Sequence, residues 1–364
     1  MSLACGIVGL PNVGKSTIFN AVTAAGAESA NYPFCTIEPN VGIVDVPDER
    51  LAVINRFIET DKVLPAALKM VDIAGLVEGA SKGEGLGNKF LGNIKEVDAI
   101  AHVVRCFQDS DVVHVHGDVE PLRDVGVIEL ELALADLETV SRNIERVAKK
   151  ARSGDKESIQ QQEVFERAKV ALEEGTQLRA VEWSERDRET LKPLFLLTMK
   201  PVLFVANVAD DEITGDTPAV KALEDYAAKT GAEVCVLSGQ IEGELASLDP
   251  EERAVFLEDL GLEESGLTRL IHKAYDLLGM QTFYTAGPKE IRAWNIRQGD
   301  TGPKAAGVIH SDFEKGYIRA EIYSVSDLVE HESEAAIKAA GKLRVEGRDY
   351  VMRDGDVAHF LVGK

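Results

Sequence analysis

A chain that carries Gly9-Leu10-Pro11-Asn12-Val13-Gly14-Lys15-Ser16 has few folds open to it. The octapeptide fits G-x-x-x-x-G-K-[ST], a loop whose glycines turn backbone N–H groups inward around phosphate oxygens. Its surroundings agree. Leu3–Val8 is a short apolar run that reads as a buried strand, and Thr17–Val22 places apolar residues at helical spacing. Strand, glycine loop and helix together put a positive helix N-terminus under the bound anion. Asn12, Val13, Gly14, Lys15, Ser16 and Thr17 are the expected contacts on the phosphate side. Lys15 reaches the β and γ phosphates, and the Ser16 hydroxyl is a ligand for Mg²⁺.

The order of the remaining segments narrows the fold. Val41–Val46, Leu68–Asp72, Ala99–Val104, Pro201–Ala206 and Glu233–Leu237 read as strands separated by helical stretches. That alternation means right-handed βαβ units and a mostly parallel sheet. Short polar motifs stand at the C-terminal ends of these strands, the edge at which open α/β sheets bind ligands. Thr36 lies in the first loop, where its hydroxyl completes Mg²⁺ coordination. Asp72-Ile73-Ala74-Gly75 is D-x-x-G, with Asp72 holding Mg²⁺ through water and the Gly75 N–H sensing the γ phosphate. Asn207-Val208-Ala209-Asp210 stands where the base is read, and Ser238-Gly239 closes over it. The glycines at 79, 83, 85, 87 and 92 indicate a mobile loop after the third strand.

Between the fourth and fifth strands, Leu130, Leu134, Leu137, Val140, Ile144 and Val147 recur at three- and four-residue spacing. Ser153-Gly154-Asp155 interrupts, and a second helix is expected over 156–174. The expectation is an antiparallel hairpin projecting as a coiled-coil arm. Arg142, Arg146, Lys149, Lys150 and Arg152 gather at its tip, as a partner-binding patch or as an ordinary solvated helix end. From about Gln281, strand-like runs alternate with glycine turns: 291–296, 305–309, 317–323, 350–352 and 358–362, with one helix at 332–341. This reads as a small mixed domain without a catalytic constellation.

Charge bears on partners. The net formal charge is −22, which argues against general affinity for nucleic acid, specific DNA included. Its distribution is uneven. Segment 137–192 holds 12 basic and 12 acidic residues, segment 280–364 holds 12 and 13, and the remainder holds 16 and 37. The acidity therefore belongs to the nucleotide-binding core, and the other two segments can approach RNA locally. The four cysteines are scattered without a C-x-x-C pair, which suits a reducing cytosol and no zinc site. The chain has no 18-residue apolar run, and its N-terminus enters a strand directly, so neither a membrane span nor a signal peptide is expected.

With these motifs in place the chain resembles the Obg-like ATPase family, in its YchF branch. The resemblance is carried by residues 9–17, 31–40 (NYPFCTIEPN) and 72–88 (DIAGLVEGASKGEGLGN), and by 289–294 and 312–316 near the C-terminus. It covers essentially the whole chain. It implies a Ras-like P-loop G-domain at 1–128 and 199–279, an inserted helical hairpin at 129–198, and a C-terminal α+β TGS domain of ubiquitin-like type at 280–364. It also implies cytoplasmic ATP hydrolysis, association with the ribosome or its RNA through the arm and the TGS domain, and a role in stress responses or translation.

Two positions need their own chemistry. GTP-specific relatives read the base with N-K-x-D, whose aspartate accepts from guanine N1 and N2. Here Val208 replaces the lysine, a change that goes with ATP in this family, whereas Asp210 stands at the guanine-reading position where the family usually has glutamate. ATP is the reading adopted, and a GTP-specific Obg-class translation factor is its alternative. A nucleotide-gated scaffold with incidental turnover is the third. The residue after D-x-x-G is Leu76, where many GTPases place the glutamine that orients water. Hydrolysis is then slow, or another group orients the water. His114 is the candidate by resemblance, against a role in loop packing. Asn12 is a candidate K⁺ ligand, the ion's charge standing in for an arginine finger.

Overall fold

A computed structural model describes residues 3–25, 40–73, 86–109 and 112–363. The chain divides into two compact units, Met1–Gly42 with Lys69–Leu270, and Ile43–Leu68 with Ile271–Lys364.

The first unit is built on β1 (Ala4–Val8), whose five residues are all buried. A strand buried on both faces needs no polar alternation, and ACGIV has none. The sheet order is β2 (Val41–Val46), β4 (Ala66–Asp72), β1, β5 (Ala99–Arg105), β6 (Val202–Asn207), β7 (Glu233–Leu237), with β3 (Val63–Leu64) in the second unit. The boundary between units falls within β2 and β4. β1 pairs in parallel with β4 and β5, β5 with β6, and β6 with β7. These pairings make the mostly parallel α/β sheet expected of a P-loop nucleotidase. Helix α1 (Lys15–Ala25) leaves the phosphate loop directly, with the Ile18 N–H donating to Gly14 O at 3.0 Å.

The hairpin consists of α4 (Pro121–Arg152) and α5 (Lys156–Glu173), joined at Ser153-Gly154-Asp155. Asp155 caps α5 by accepting from the Ser158 N–H at 2.9 Å. Ala133, Val140 and Val147 of α4 are buried against Val164, Phe165, Ala168 and Leu172 of α5, with Leu137 and Ile144 completing the seam. The spacing 133–137–140–144–147 alternates four and three, as a coiled-coil seam requires. The seam corrects the sequence pattern at its base. Leu130 and Leu134 are exposed, and Ala133 takes the inward position. Adjacent helix positions differ by about 100° in direction, so a run rich in leucine hides which residue faces in. The returning segment adds Leu178, Trp183, Leu191 and Leu196 to the same core. Asp136 of α4 holds the return close to β6, accepting from the Leu197 and Thr198 N–H groups at 2.9 and 2.8 Å and from the Thr198 hydroxyl at 2.6 Å.

The second unit is a mixed sheet in the order β11 (Arg344–Glu346), β10 (Tyr317–Ser324), β12 (Asp356–Val362), β8 (Met280–Ala286), β9 (Ile291–Arg297), β3. Its helices include α2 (Glu49–Phe57), which Asp48 caps. Residues 43–68, grouped with the first domain from sequence, pack in this unit. β3 pairs with β9, and Arg50 forms an ion pair with Asp354 at 2.5 Å. Two sequence expectations are corrected here. Residues 305–309 are not a strand but the end of a helix, Gly302–Ile309, with Pro303 in its first turn. A short apolar run does not distinguish strand from helix, and the proline set the helix start. Residues 350–352 form only an isolated bridge, Val351 to Thr301.

Phe165 is 3% exposed at the centre of the hairpin seam. Phe165→Ala is expected to cost about 3–5 kcal/mol, read as a lower urea midpoint. An unchanged midpoint would show that the seam does not hold the arm together.

Candidate functional site

The site is assembled from segments at the C-terminal ends of β1, β5, β6 and β7, all in the first unit. They enclose a cleft of about 890 Å³, a size suited to a nucleotide. Asn12, Gly14 and Thr17 line its phosphate side, Val208, Asp210 and Ser238 its base side, and Phe107 and Gln108 a third wall.

Two residues of the phosphate loop adopt left-handed backbone, Asn12 at φ 62° and Gly14 at φ 91°. Asparagine tolerates that region better than most residues, which gives Asn12 a conformational role. Its Nδ2 donates to Val113 O at 3.1 Å. Gly14 is required twice over, by its φ and because a Cβ there would collide with the Asn207 amide. Lys15 is 9% exposed, and its ammonium pairs with the Asp72 carboxylate at the end of β4. The two residues expected to face the triphosphate and Mg²⁺ thus neutralise one another across the loop. Ser16 and Thr17 are exposed at the start of α1. Thr36, Gly75 and Leu76 lie outside the described residues.

A hydroxyl and a carboxylate are oxygen ligands suited to a metal that keeps several waters and shares phosphate oxygens, and the Lys15 ammonium beside them suits the phosphates rather than the metal. Among the described residues no three His, Cys, Asp or Glu side chains come together as a closed metal cage. Ser16 and Asp72 therefore fit Mg²⁺ held jointly with a nucleotide.

On the base side, Asn207 is 4% exposed, and its amide spans two loops. Nδ2 donates to Val13 O at 2.9 Å, and Oδ1 accepts from the Gly239 N–H at 2.8 Å. Val208 is buried at 2%, and its N–H donates to Leu237 O at 3.0 Å. Ser238, 1% exposed, donates its hydroxyl to the exposed Asp210 carboxylate and caps the following helix, α8 (Gly239–Leu245).

His114 is 5% exposed and turned inward. Its Nε2 lies 2.8 Å from Asp124 Oδ2, and its Nδ1 accepts from the His116 N–H at 3.2 Å. In this structure His114 faces Asp124 rather than the cleft.

Sequence reasoning passed over Arg105, a fully buried arginine that ends β5 opposite Asn207 of β6. Its guanidinium donates to Phe107 O at 3.2 Å, Val112 O at 2.9 Å and Asp109 O at 3.2 Å, and lies over the Phe107 ring at 4.5 Å. The cleft's third wall is shaped by this one side chain. The available signal was a charged residue closing the run Ala99–Val104 at the ligand-binding edge. Cys106 beside it is no nucleophile: burial, aided by the Glu212 and Asp124 carboxylates, pushes its thiol up to about 12.

Known proteins resemble this chain over nearly its whole length. Residues 4–150 match a family described as 50S ribosome-binding GTPases. Residues 280–363 match the C-terminal family of YchF GTPases, described as of unknown function. The chain is 52% identical to the Ribosome-binding ATPase YchF of Bacillus subtilis over 362 residues, covering 99% of each chain. It is 52% identical to the protein of that name from Haemophilus influenzae over 360 residues, again 99% of each. The solved structure of the Schizosaccharomyces pombe YchF GTPase superimposes with a TM-score of 0.90 at 37% identity, covering 99% of this chain and 98% of that one.

Lys15→Ala is expected to weaken triphosphate binding by roughly ten- to a hundredfold without unfolding the chain. Equilibrium titration with a fluorescent nucleotide, beside a circular-dichroism melt, checks this. Undiminished affinity in a folded variant would remove Lys15 from the site.

Proposed function

The chain belongs to the YchF family of ribosome-binding ATPases, and on that premise we propose that it is a slow, Mg²⁺-dependent ATPase switch whose nucleotide state is read by the ribosome. The observation that carries this is a single cleft with the phosphate loop on one side and Asn207, Val208 and Ser238 on the other. Lys15 exchanges its Asp72 partner for the β and γ phosphates when nucleotide enters. Ser16, Thr36 and Asp72 hold Mg²⁺, which supplies neutralisation of phosphate charge. The Gly75 N–H reports the γ phosphate, and K⁺ beside Asn12 adds positive charge. Leu76 offers no hydrogen bond to water, so His114 is the group assigned to orienting it. Among the described residues no helix is long and apolar enough to cross a membrane, and the cytosol is the assigned compartment.

ATP is favoured because Val208 presents an aliphatic side chain where a guanine reader has lysine. One observation supports GTP as a second reading. Asp210 is held by the Ser238 hydroxyl at the position where an aspartate accepts from guanine N1 and N2. Competition binding of ATP and GTP decides between them. Val208→Lys, which rebuilds N-K-x-D, is expected to move preference toward GTP. A wild type that already prefers GTP would overturn the ATP assignment.

The ribosome contact is assigned to the arm tip and the C-terminal domain. Arg142, Arg146, Lys149, Lys150 and Arg152 are all exposed. Contacts to RNA phosphates release counterions, so affinity falls with salt at a slope near 0.7–0.9 per contact. Charge reversal of Arg146, Lys149 and Lys150 to glutamate is expected to weaken cosedimentation with ribosomes and flatten that slope, leaving ATP affinity unchanged. Wild-type sedimentation across the salt series would reduce the tip to a solvated helix end.

A further inference from the structure

Residues 112–116 read Val-Val-His-Val-His, and their burial is inverted relative to their chemistry. Val113 is 75% exposed and Val115 51%, whereas His114 between them is 5% exposed. Apolar side chains normally take the inward positions. Here the inward position is held by polar bonds. The His114 Nδ1 accepts from the His116 N–H, which leaves the hydrogen on Nε2, donated to Asp124. Asp124 is 2% exposed and lies in the first turn of α4, and its other carboxylate oxygen is 3.4 Å from Arg123 Nη2. Both imidazole nitrogens are committed to protein, so neither is available to a water.

We propose that Asp124 is a positioning residue that latches His114 out of the reaction, and that hydrolysis requires this latch to open. The proposal rests on the reading of His114 as the water-orienting group. Opening would give up two hydrogen bonds, and the exposed Val113 and Val115 would offset that if they turned inward, since the two contributions are of comparable size. An equilibrium balanced in this way is one that a modest bias shifts. Two such biases are built in. Asn12 of the phosphate loop donates to the Val113 carbonyl, tying the segment to the nucleotide side. Asp124 is carried by the same continuous helix that ends at Arg152 in the arm tip, so displacement of α4 acts on the acceptor itself. A partner on the arm and a nucleotide in the cleft therefore act on one element, which gives the arm a route to the turnover rate.

The test is steady-state ATP hydrolysis by the full-length protein with Mg²⁺ and without ribosomes. Asp124→Ala is expected to raise kcat by roughly ten- to a hundredfold, with KM for ATP unchanged. The double variant with His114→Ala is expected to fall back to the rate of His114→Ala alone. A fall in kcat for Asp124→Ala, with His114 still required, would overturn the latch and make Asp124 an aid to catalysis. Undiminished kcat in His114→Ala would instead remove the premise, a result separable from the first. Should Asp124→Ala fail to fold, Val113→Ser with Val115→Ser decides. These side chains are exposed, so the fold is kept while the gain on opening is lost, and kcat is expected to fall. Wild-type turnover in that variant would overturn the proposal.

Discussion

One buried amide ties the nucleotide site together. Asn207 donates to the phosphate loop at Val13 and accepts from the base loop at Gly239, and it does both from within the core. Burying an amide costs free energy unless its groups are paired, so neither loop can shift without leaving one of them unsatisfied. The packing of Gly14 against the same amide explains why no larger residue fits there. The phosphate-loop side of the cleft and the side formed after β6 and β7 are thereby kept in register by hydrogen bonds within the protein. The third wall is kept in place separately, by the guanidinium of Arg105 on three backbone carbonyls.

The sheet was legible in the sequence because β1, β5 and β6 are buried on both faces and read as apolar runs, while β2 and β7 keep apolar residues at their inward positions. Val41–Val46 and Glu233–Leu237 coincide with β2 and β7 to the residue. The motifs were legible for a related reason. Phosphate chemistry fixes residue types at fixed offsets, and the sheet edge fixes where they stand. What escaped was set by tertiary partners. Residues 43–68 carry nothing that announces their pairing with a segment more than two hundred positions away. The seam of the arm was placed one residue off at its base, because Leu130 and Leu134 look more like core than Ala133 does. The strand expected at 305–309 is helix, since the run is too short for its period to speak.

Of the residues singled out in the sequence, Asn12, Gly14, Thr17, Asn207, Val208, Asp210 and Ser238 line the cleft, whereas its Phe107–Val112 side and the partners of the buried groups were not foreseen. The pairings of Lys15 with Asp72 and of His114 with Asp124 are properties of side chains that satisfy each other across the fold. Neither follows from spacing. Asp124 and Arg105 went unnoticed for the same reason: their importance lies in what they hold.

The second unit has a consequence for how the protein is made. Arg50 and Asp354 are partners 304 positions apart, and β3 pairs with β9, which begins at Ile291. At a synthesis rate of about 5–20 residues per second, residues 43–68 wait roughly 15–60 s for the strands that cover them. The first unit's sheet, meanwhile, contains β2 and β4, which flank that waiting stretch. A nascent chain of this kind carries an open seam at residues 50–64 until residues 291–354 have been synthesised. Assembly of the second unit is therefore governed by its later segment rather than by its earlier one.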